Sequence, residues 1–318
     1  MATTRPPSGP APVDRSSSAP RDDPDWRADA LARSRHSRLG DELREPLVDR
    51  DERRAEAVCG EITRRALGDF APALALLPAA QRRRVRALAA FGLTLFDFAR
   101  QPGLDGERLA QINRWSFDLE STLAGSPPGQ PVFVLLAATH AESPWPEEAL
   151  LALAGCARRR ALRPRAASRA VLERDAARLA AALSGALLAA PSEPVVEGLA
   201  ALLRAQRLLA LGSDRRRRQA GLARDELPEE WEGGPASRAE LGAAVRRECR
   251  RLAAALEPSD WIHALPRGWR RAASYALLAA RRLVRRYATL AAEALASPPR
   301  LGAGERLRLV LSARWRRL

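Results

Sequence analysis

From Trp26 to the C-terminus, alanine and leucine recur at spacings of three and four, and stretches alternating apolar with polar residues are absent. Valine is sparse and isoleucine is confined to Ile62, Ile112 and Ile262, so the side chains that suit a pleated surface are largely missing. Pro and Gly punctuate the pattern at Pro78, Gly103, Gly125 to Pro131, Pro144 to Pro146, Pro164, Pro191 to Pro194, Gly212, Pro228, Gly233 to Pro235, Pro258, Pro266 and Pro298 to Gly304. That spacing predicts about ten helices, most of roughly 12 to 25 residues. Asp105 precedes a helix with Glu107 in its first turn, where a carboxylate meets the positive end of the dipole. Pro266 opens a long helix reaching about Ala296. No internal repeat is present, so the expected fold is all-α: a single large helical bundle, not a solenoid. Residues 1–25, rich in Pro, Ser and Asp, read as a disordered tail. Residues 26–297 read as the helical domain and residues 298–318 as a basic C-terminal helix.

Several classes are excluded. With 46% hydrophobic residues over 318 positions the chain has ample material for a core. No apolar run reaches the ~18 residues of a membrane-spanning helix; the segment from Leu199 to Leu211 is broken by Arg204 and Arg207. The start carries Arg5, Arg15 and Arg21 and no apolar stretch, unlike a signal peptide. Cys59, Cys156 and Cys249 are scattered, which reads as reduced, buried thiols of a cytoplasmic protein. His36, His140 and His263 are equally dispersed, so imidazole metal chemistry is not expected. His140 and His263 read as satisfied polar groups.

The net charge of +15 arises from 53 basic residues against 38 acidic ones. Every one of those cations is arginine, and the only asparagine is Asn113. Such a lopsided alphabet reflects the base composition of the coding DNA, so arginine abundance alone says little about function. Its distribution says more. From Leu241 to Leu318 there are 17 arginines and five acids, 17 − 5 = +12 of the total. The segment Arg306 to Leu318 sets Leu307, Val310, Leu311 and Trp315 against Arg308, Arg314, Arg316 and Arg317. Arg314, Trp315, Arg316 and Arg317 are the candidate contacts of a basic amphipathic helix lying on anionic lipid. The alternative is a last helix that packs its Leu face on the bundle.

Residues 70 to 91 read F-x5-L-L-P-x3-R-R at Phe70, Leu76, Leu77, Pro78, Arg82 and Arg83, then A-L-A-A-F from Ala87 to Phe91. Trp115-x3-Leu119 is followed by Gly125 and Pro131, Gln206 by Arg224-x3-Pro228, and Leu265-Pro266 by Arg270-Arg271-Ala272. In this order the motifs resemble the squalene/phytoene synthase family, the head-to-head prenyltransferases, over about Cys59 to Arg317. The resemblance implies the all-α isoprenoid (terpenoid) synthase fold. It also implies two aspartate-rich motifs facing each other, whose carboxylates at i and i+4 hold Mg²⁺ ions. Those ions grip the diphosphates of prenyl substrates and neutralise the leaving charge, in a cavity that shelters carbocations from water.

The sequence departs from the family pattern at those motifs. The first, F-C-R-x-x-D-D-x-x-D, falls on Phe91 to Arg100: Asp97 keeps the middle aspartate, Phe96 and Arg100 occupy the other two positions, and Leu93 replaces the arginine. In the second, counted from Gln206, Leu209, Gly212, Ser213 and Arg217 stand at the N, R, D and final D positions. Asp214 comes one residue late, about 100° round a helix. Arg174 and Asp175 replace the tyrosine and cysteine of the middle helix. The vestigial acidic candidates are therefore Asp97 and Asp214. Asp97 is either a residual ligand or a carboxylate paired with an arginine, and Asp214 either a ligand or a helix cap. The candidates for diphosphate are Arg82, Arg100, Arg217, Arg224 and Gln206. Mg²⁺ is required only if the condensation survives.

The expected function is a squalene/phytoene synthase-like protein of isoprenoid metabolism that has lost the metal chemistry and binds a prenyl diphosphate or anionic lipid, or supports a paralogous synthase. The alternative is an active Mg²⁺-dependent prenyltransferase acting on farnesyl or geranylgeranyl diphosphate. A basic nucleic-acid-binding protein is the third class, disfavoured because aromatics are few among the cations and no helix-turn-helix or zinc pattern occurs.

Overall fold

The computed structural model describes residues 51–101, 104–163, 166–210, 222–226, 235–291, 293–295 and 297–315. The expected tail, Asp214 and Arg215 to Arg218, and Arg316 and Arg317 lie outside them. Among the described residues the secondary structure is helical throughout, with eleven α-helices: α1 (Glu52–Leu67), α2 (Pro72–Ala75), α3 (Ala79–Phe98), α4 (Asp105–Leu123), α5 (Pro131–Glu142), α6 (Glu147–Leu162), α7 (Arg169–Leu187), α8 (Glu193–Leu209), α9 (Pro235–Ala255), α10 (Arg267–Leu290) and α11 (Ala303–Trp315). None is long and apolar enough to cross a membrane.

The starts follow the local chemistry. The Asp51 carboxylate accepts from the N–H groups of Arg53 and Arg54 at 2.8 and 3.3 Å and caps α1. Asp105 is the first residue of α4 rather than the one before it, because extended Leu104 takes the cap position and donates its N–H to Glu107 at 3.4 Å. α1 ends on Gly68 at φ 52°, a conformation open to glycine.

The first half is built around α5. Pro131 to Leu136 are all buried, so this helix is apolar on every side, as a central helix must be. α1, α3 and α4 enclose it. Between them Phe91 and Phe98 of α3, Trp115 of α4 and Phe133 of α5 form one cluster, with Trp115 and Phe133 ring centres 4.7 Å apart. α6, α7 and α8 follow as successive neighbours. The second core joins α8, α9 and α10 through Val195, Ala205, Leu208, Val245, Leu252, Leu277 and Tyr287. The two ends of the fold meet at Asp69. Its carbonyl accepts from the Tyr275 hydroxyl at 2.9 Å and its carboxylate from the Leu301 N–H at 3.1 Å.

Two expectations are corrected. The helix from Pro266 stops at Leu290 instead of about Ala296. Ala291 turns to φ 47° while its N–H still reaches the Tyr287 carbonyl at 2.7 Å, and the chain then buries Ala291 and Ala294 in the core. The apolar residues of α11 do not form one face: Val310 packs inward with Leu309 and fully buried Ala313, whereas Leu307, Leu311 and Trp315 are exposed. The three cysteines are free and buried, as expected. The ring Nδ1 of His140 accepts from the Trp145 N–H at 3.1 Å, while His263 is exposed.

Burial pushes the thiols of Cys59 and Cys249 up to about 12 and the Tyr275 phenol likewise to about 12. Groups raised in the folded state contribute stability that is intact below their unfolded values, about 9 for a thiol, and lost as pH climbs through the folded ones. Urea midpoints measured along a pH series are therefore expected to hold at neutral pH and to fall between about 9 and 12. At Gly198 an added Cβ lies 2.4 Å from the Trp261 ring, whereas at Gly106 it meets nothing within 4 Å. Gly198→Ala is expected to cost about 1–3 kcal/mol in urea unfolding by overpacking α8 against Trp261. Gly106→Ala, the control, is expected to leave the midpoint unchanged or raise it.

Candidate functional site

Where α3, α6, α7 and α8 converge, a small cavity is lined by Phe96 of α3, Cys156, Arg159 and Arg160 of α6, Asp175 and Leu179 of α7, and Arg207 of α8. The helical period places these groups together. Cys156, Arg159 and Arg160 stand at i, i+3 and i+4, one face of α6, and Asp175 and Leu179 repeat the spacing on α7. The Arg159 guanidinium donates to Cys156 Sγ at 3.0 Å. Burial, more than any charge, pushes the Cys156 thiol up; Asp175 adds to the shift and the Arg159 cation opposes it. The thiol is therefore neutral at physiological pH. The cavity holds about 10 Å³, room for about one water molecule.

The lining thus offers three guanidiniums, one carboxylate and one neutral thiol. The magnesium ions implied by the sequence resemblance require several carboxylate oxygens. Asp175 is the one carboxylate in the lining, and among the described residues no three carboxylate, imidazole or thiol side chains converge. Such a donor set does not fit the metal. It fits an anion, because guanidinium forks match phosphate oxygens two at a time.

One turn before Arg207, Arg204 enters a separate network. It donates to Glu248 of α9 at 2.6 Å and lies 3.3 Å from Glu173 of α7, which also accepts from Arg169 at 2.9 Å. Arg251 pairs with Glu226 and approaches Glu248 at 3.6 Å. Glu248 is 2% exposed. Cations from two helices meet this deep carboxylate, and their attraction offsets part of the cost of taking it out of water.

Of the residues singled out in the sequence, Phe96 and Asp175 line the cavity. Asp97 is half-buried next to Phe96, and Arg100, one turn beyond, has its Nε buried without a hydrogen-bond partner. Gln206 is half-buried beside Arg207. Arg82 is half-buried at the start of α3, and Arg224 is exposed on the turn after residue 223, tied to the Ala166 carbonyl through its N–H at 2.9 Å. Neither is part of the lining. Arg217 and Asp214 fall outside the described residues. The sequence reading missed Cys156, Arg159, Arg160 and Arg207. The available signal was the i, i+3, i+4 spacing on α6 together with the position of Arg207 beside Gln206.

No protein-family model and no curated protein sequence matches the chain. Its structure is similar to a dehydrosqualene synthase in complex with ligand, with TM-score 0.68 and 16% identity over 83% of this chain and 96% of that one. It is also similar to squalene synthase HpnC from Alicyclobacillus acidocaldarius, with TM-score 0.60 and 17% identity over 76% of this chain and 95% of the other. The chain has a squalene/phytoene synthase-like fold. The all-α bundle expected from the sequence is the all-α isoprenoid synthase fold of these neighbours.

Glu248→Ala leaves the Arg204 guanidinium with the Glu173 carboxylate at 3.3 Å, and is expected to lower unfolding stability by about 1–3 kcal/mol. The double variant Arg204→Met/Glu248→Leu, which removes both charges and keeps volume, is expected to recover most of that loss in the same denaturation measurement.

Proposed function

We propose that this squalene/phytoene synthase-like protein acts in isoprenoid metabolism without the magnesium-dependent condensation. The guanidiniums at the mouth of its small cavity, exposed Arg159 and half-buried Arg207 outermost, take the diphosphate or phosphate headgroup of a prenyl diphosphate or anionic lipid directly. The observation that carries the reading is the lining: Phe96 stands at the first motif's leading aspartate position, and Arg159, Arg160 and Arg207 surround the single carboxylate Asp175.

Magnitudes support it. Two diphosphates brought together place several pairs of negative charges within a few ångströms, and each pair at 4 Å costs about 4 kcal/mol at an effective dielectric of 20. One carboxylate does not assemble the ions that would offset this. A single headgroup poses no such problem, since guanidiniums neutralise it without a bridging metal. The volume places binding at the rim: a space of about 10 Å³, enough for one water, admits neither a phosphate nor a prenyl chain, and the aromatic cluster of Phe91, Phe98, Trp115 and Phe133 fills the neighbouring interior. The headgroup then sits at the guanidiniums, with its chain outside the core.

A second reading, active head-to-head condensation, is favoured by the likeness to dehydrosqualene and squalene synthases. Calorimetry with farnesyl diphosphate separates the two. Binding is expected with and without Mg²⁺, and weakened about tenfold or more by Arg159→Ala/Arg207→Ala, the loss of charge-assisted bonds worth about 1.5–3 kcal/mol each. Affinity that disappears when the metal is chelated, or C30 product extracted after incubation with Mg²⁺, would instead establish the synthase reading.

A further inference from the structure

The C-terminal helix presents apolar side chains in two opposite directions. Its inner side is committed to the fold: Ala313 is fully buried, and Leu309 and Val310 pack with Tyr275, Leu283 and Leu301. On its outer side Leu307, Leu311 and Trp315 follow one another at intervals of four, 60%, 45% and 81% exposed. That interval aligns them in one stripe, and the two-residue step from Leu311 to Ala313 sets the stripe about 160° from the packed side. No hydrophobic cluster among the described residues takes up these three large apolar side chains in line on the solvent face, and such alignment marks an interaction surface.

The charges around the stripe indicate the partner. Arg308 and Arg314, both exposed, flank it on opposite sides. The adjoining helix α10 carries seven arginines and no acid over its 24 residues, and Arg271, Arg282 and Arg285 among them are exposed. The one acid of α11, Glu305, is already engaged: it accepts from the Gly302 N–H at 3.1 Å and pairs with Arg282 and Arg286. Those contacts, the backbone bond foremost, hold its carboxyl below the usual range. A second copy of this chain does not complement the surface, because facing two such stripes sets rows of arginine against rows of arginine. Nucleic acid satisfies the arginines but leaves the aliphatic stripe in water.

We propose that this face docks on an anionic bilayer surface. Leu307, Leu311 and Trp315 enter the boundary between headgroups and acyl chains while Arg308 and Arg314 meet lipid phosphates, and the arginines of α10 add to the positive potential of this end of the fold. α11 then lies in the plane of the membrane with its Ala313 side still on the bundle. This surface is distinct from the cavity between α3, α6, α7 and α8 and does not depend on the function assigned to it.

Vesicle flotation of the full-length protein tests the docking. Binding is expected to vesicles of phosphatidylcholine mixed with phosphatidylglycerol, to be much weaker to phosphatidylcholine alone, and to decline as salt is raised. Leu307→Ser/Leu311→Ser/Trp315→Ser is expected to lose about tenfold or more in partition while staying folded with a melting point close to the wild type, since none of the three side chains belongs to the buried core. Arg308→Gln/Arg314→Gln is expected to reduce the preference for phosphatidylglycerol. Leu104→Ser/Phe117→Ser, which removes two exposed apolar residues elsewhere, is expected to bind like the wild type. Failure to float with anionic vesicles, or flotation unaffected by the triple substitution, would overturn the proposal. So would a dimer in sedimentation velocity that the triple substitution dissociates, which reassigns the stripe to self-association.

Discussion

Guanidinium groups that close the C-terminal ends of neighbouring helices hold the bundle in register. A helix leaves its last carbonyls without intrahelical partners, and here arginines from other elements supply them. Arg84 of α3 reaches the Thr139 and Ser143 carbonyls at the end of α5 and stacks 3.9 Å over the Trp145 ring. Arg108 of α4 reaches Gln101 just past α3 and Ala161 at the end of α6. Arg281 of α10 does the same for Leu256 and Glu257 after α9. Each contact joins a full cation to the negative end of a helix dipole, and the planar fork spans two carbonyls that an ammonium would meet one at a time. In a chain without lysine, this makes arginine part of the scaffold as much as of the surface.

That constraint shapes the interior. With helix ends pinned from outside, the sides are free to pack tightly, and they do so with small residues. α7 buries Ala176, Ala180, Ala182 and Ala186 where it meets its neighbours, and α8 gives up a side chain altogether at Gly198 to admit Trp261. Alanine-rich faces bring helix axes close and leave little unfilled volume. The cavity at Phe96 is small for this reason, and the aromatic groups of α3, α4 and α5 pack ring against ring.

Much of this was legible in the sequence because helices announce themselves through period and punctuation. Proline and glycine marked many of the boundaries, whereas the central place of α5 emerged only from the burial of Pro131 to Leu136 in the fold. The end of α10 was not legible, since Ala291 bends back through burial of its own methyl and that of Ala294, a tertiary effect that local propensity does not encode. Nor was the inner and outer division of α11, because Val310 and Leu311 look alike until the position of α10 is known. The cavity was half legible: Phe96 and Asp175 stood at motif positions, whereas Arg159, Arg160 and Arg207 were hidden among 53 arginines. Abundance erased the signal that one arginine among lysines would have carried.

The local balance of charge changes along α8. At Arg204 the balance is even: Arg169, Arg204 and Arg251 are met by Glu173, Glu226 and Glu248. One turn on, at Arg207, three guanidiniums share a lining with one carboxylate. Removing charges from water is tolerated where opposite charges are close at hand, so the first set is self-sufficient and rigid. The second has a different composition, with Asp175 the one carboxylate among the lining residues. The same residue type thereby stands in two electrostatic settings on one helix, and the carboxylates supplied by α7, α9 and the Arg224–Glu226 turn set the difference.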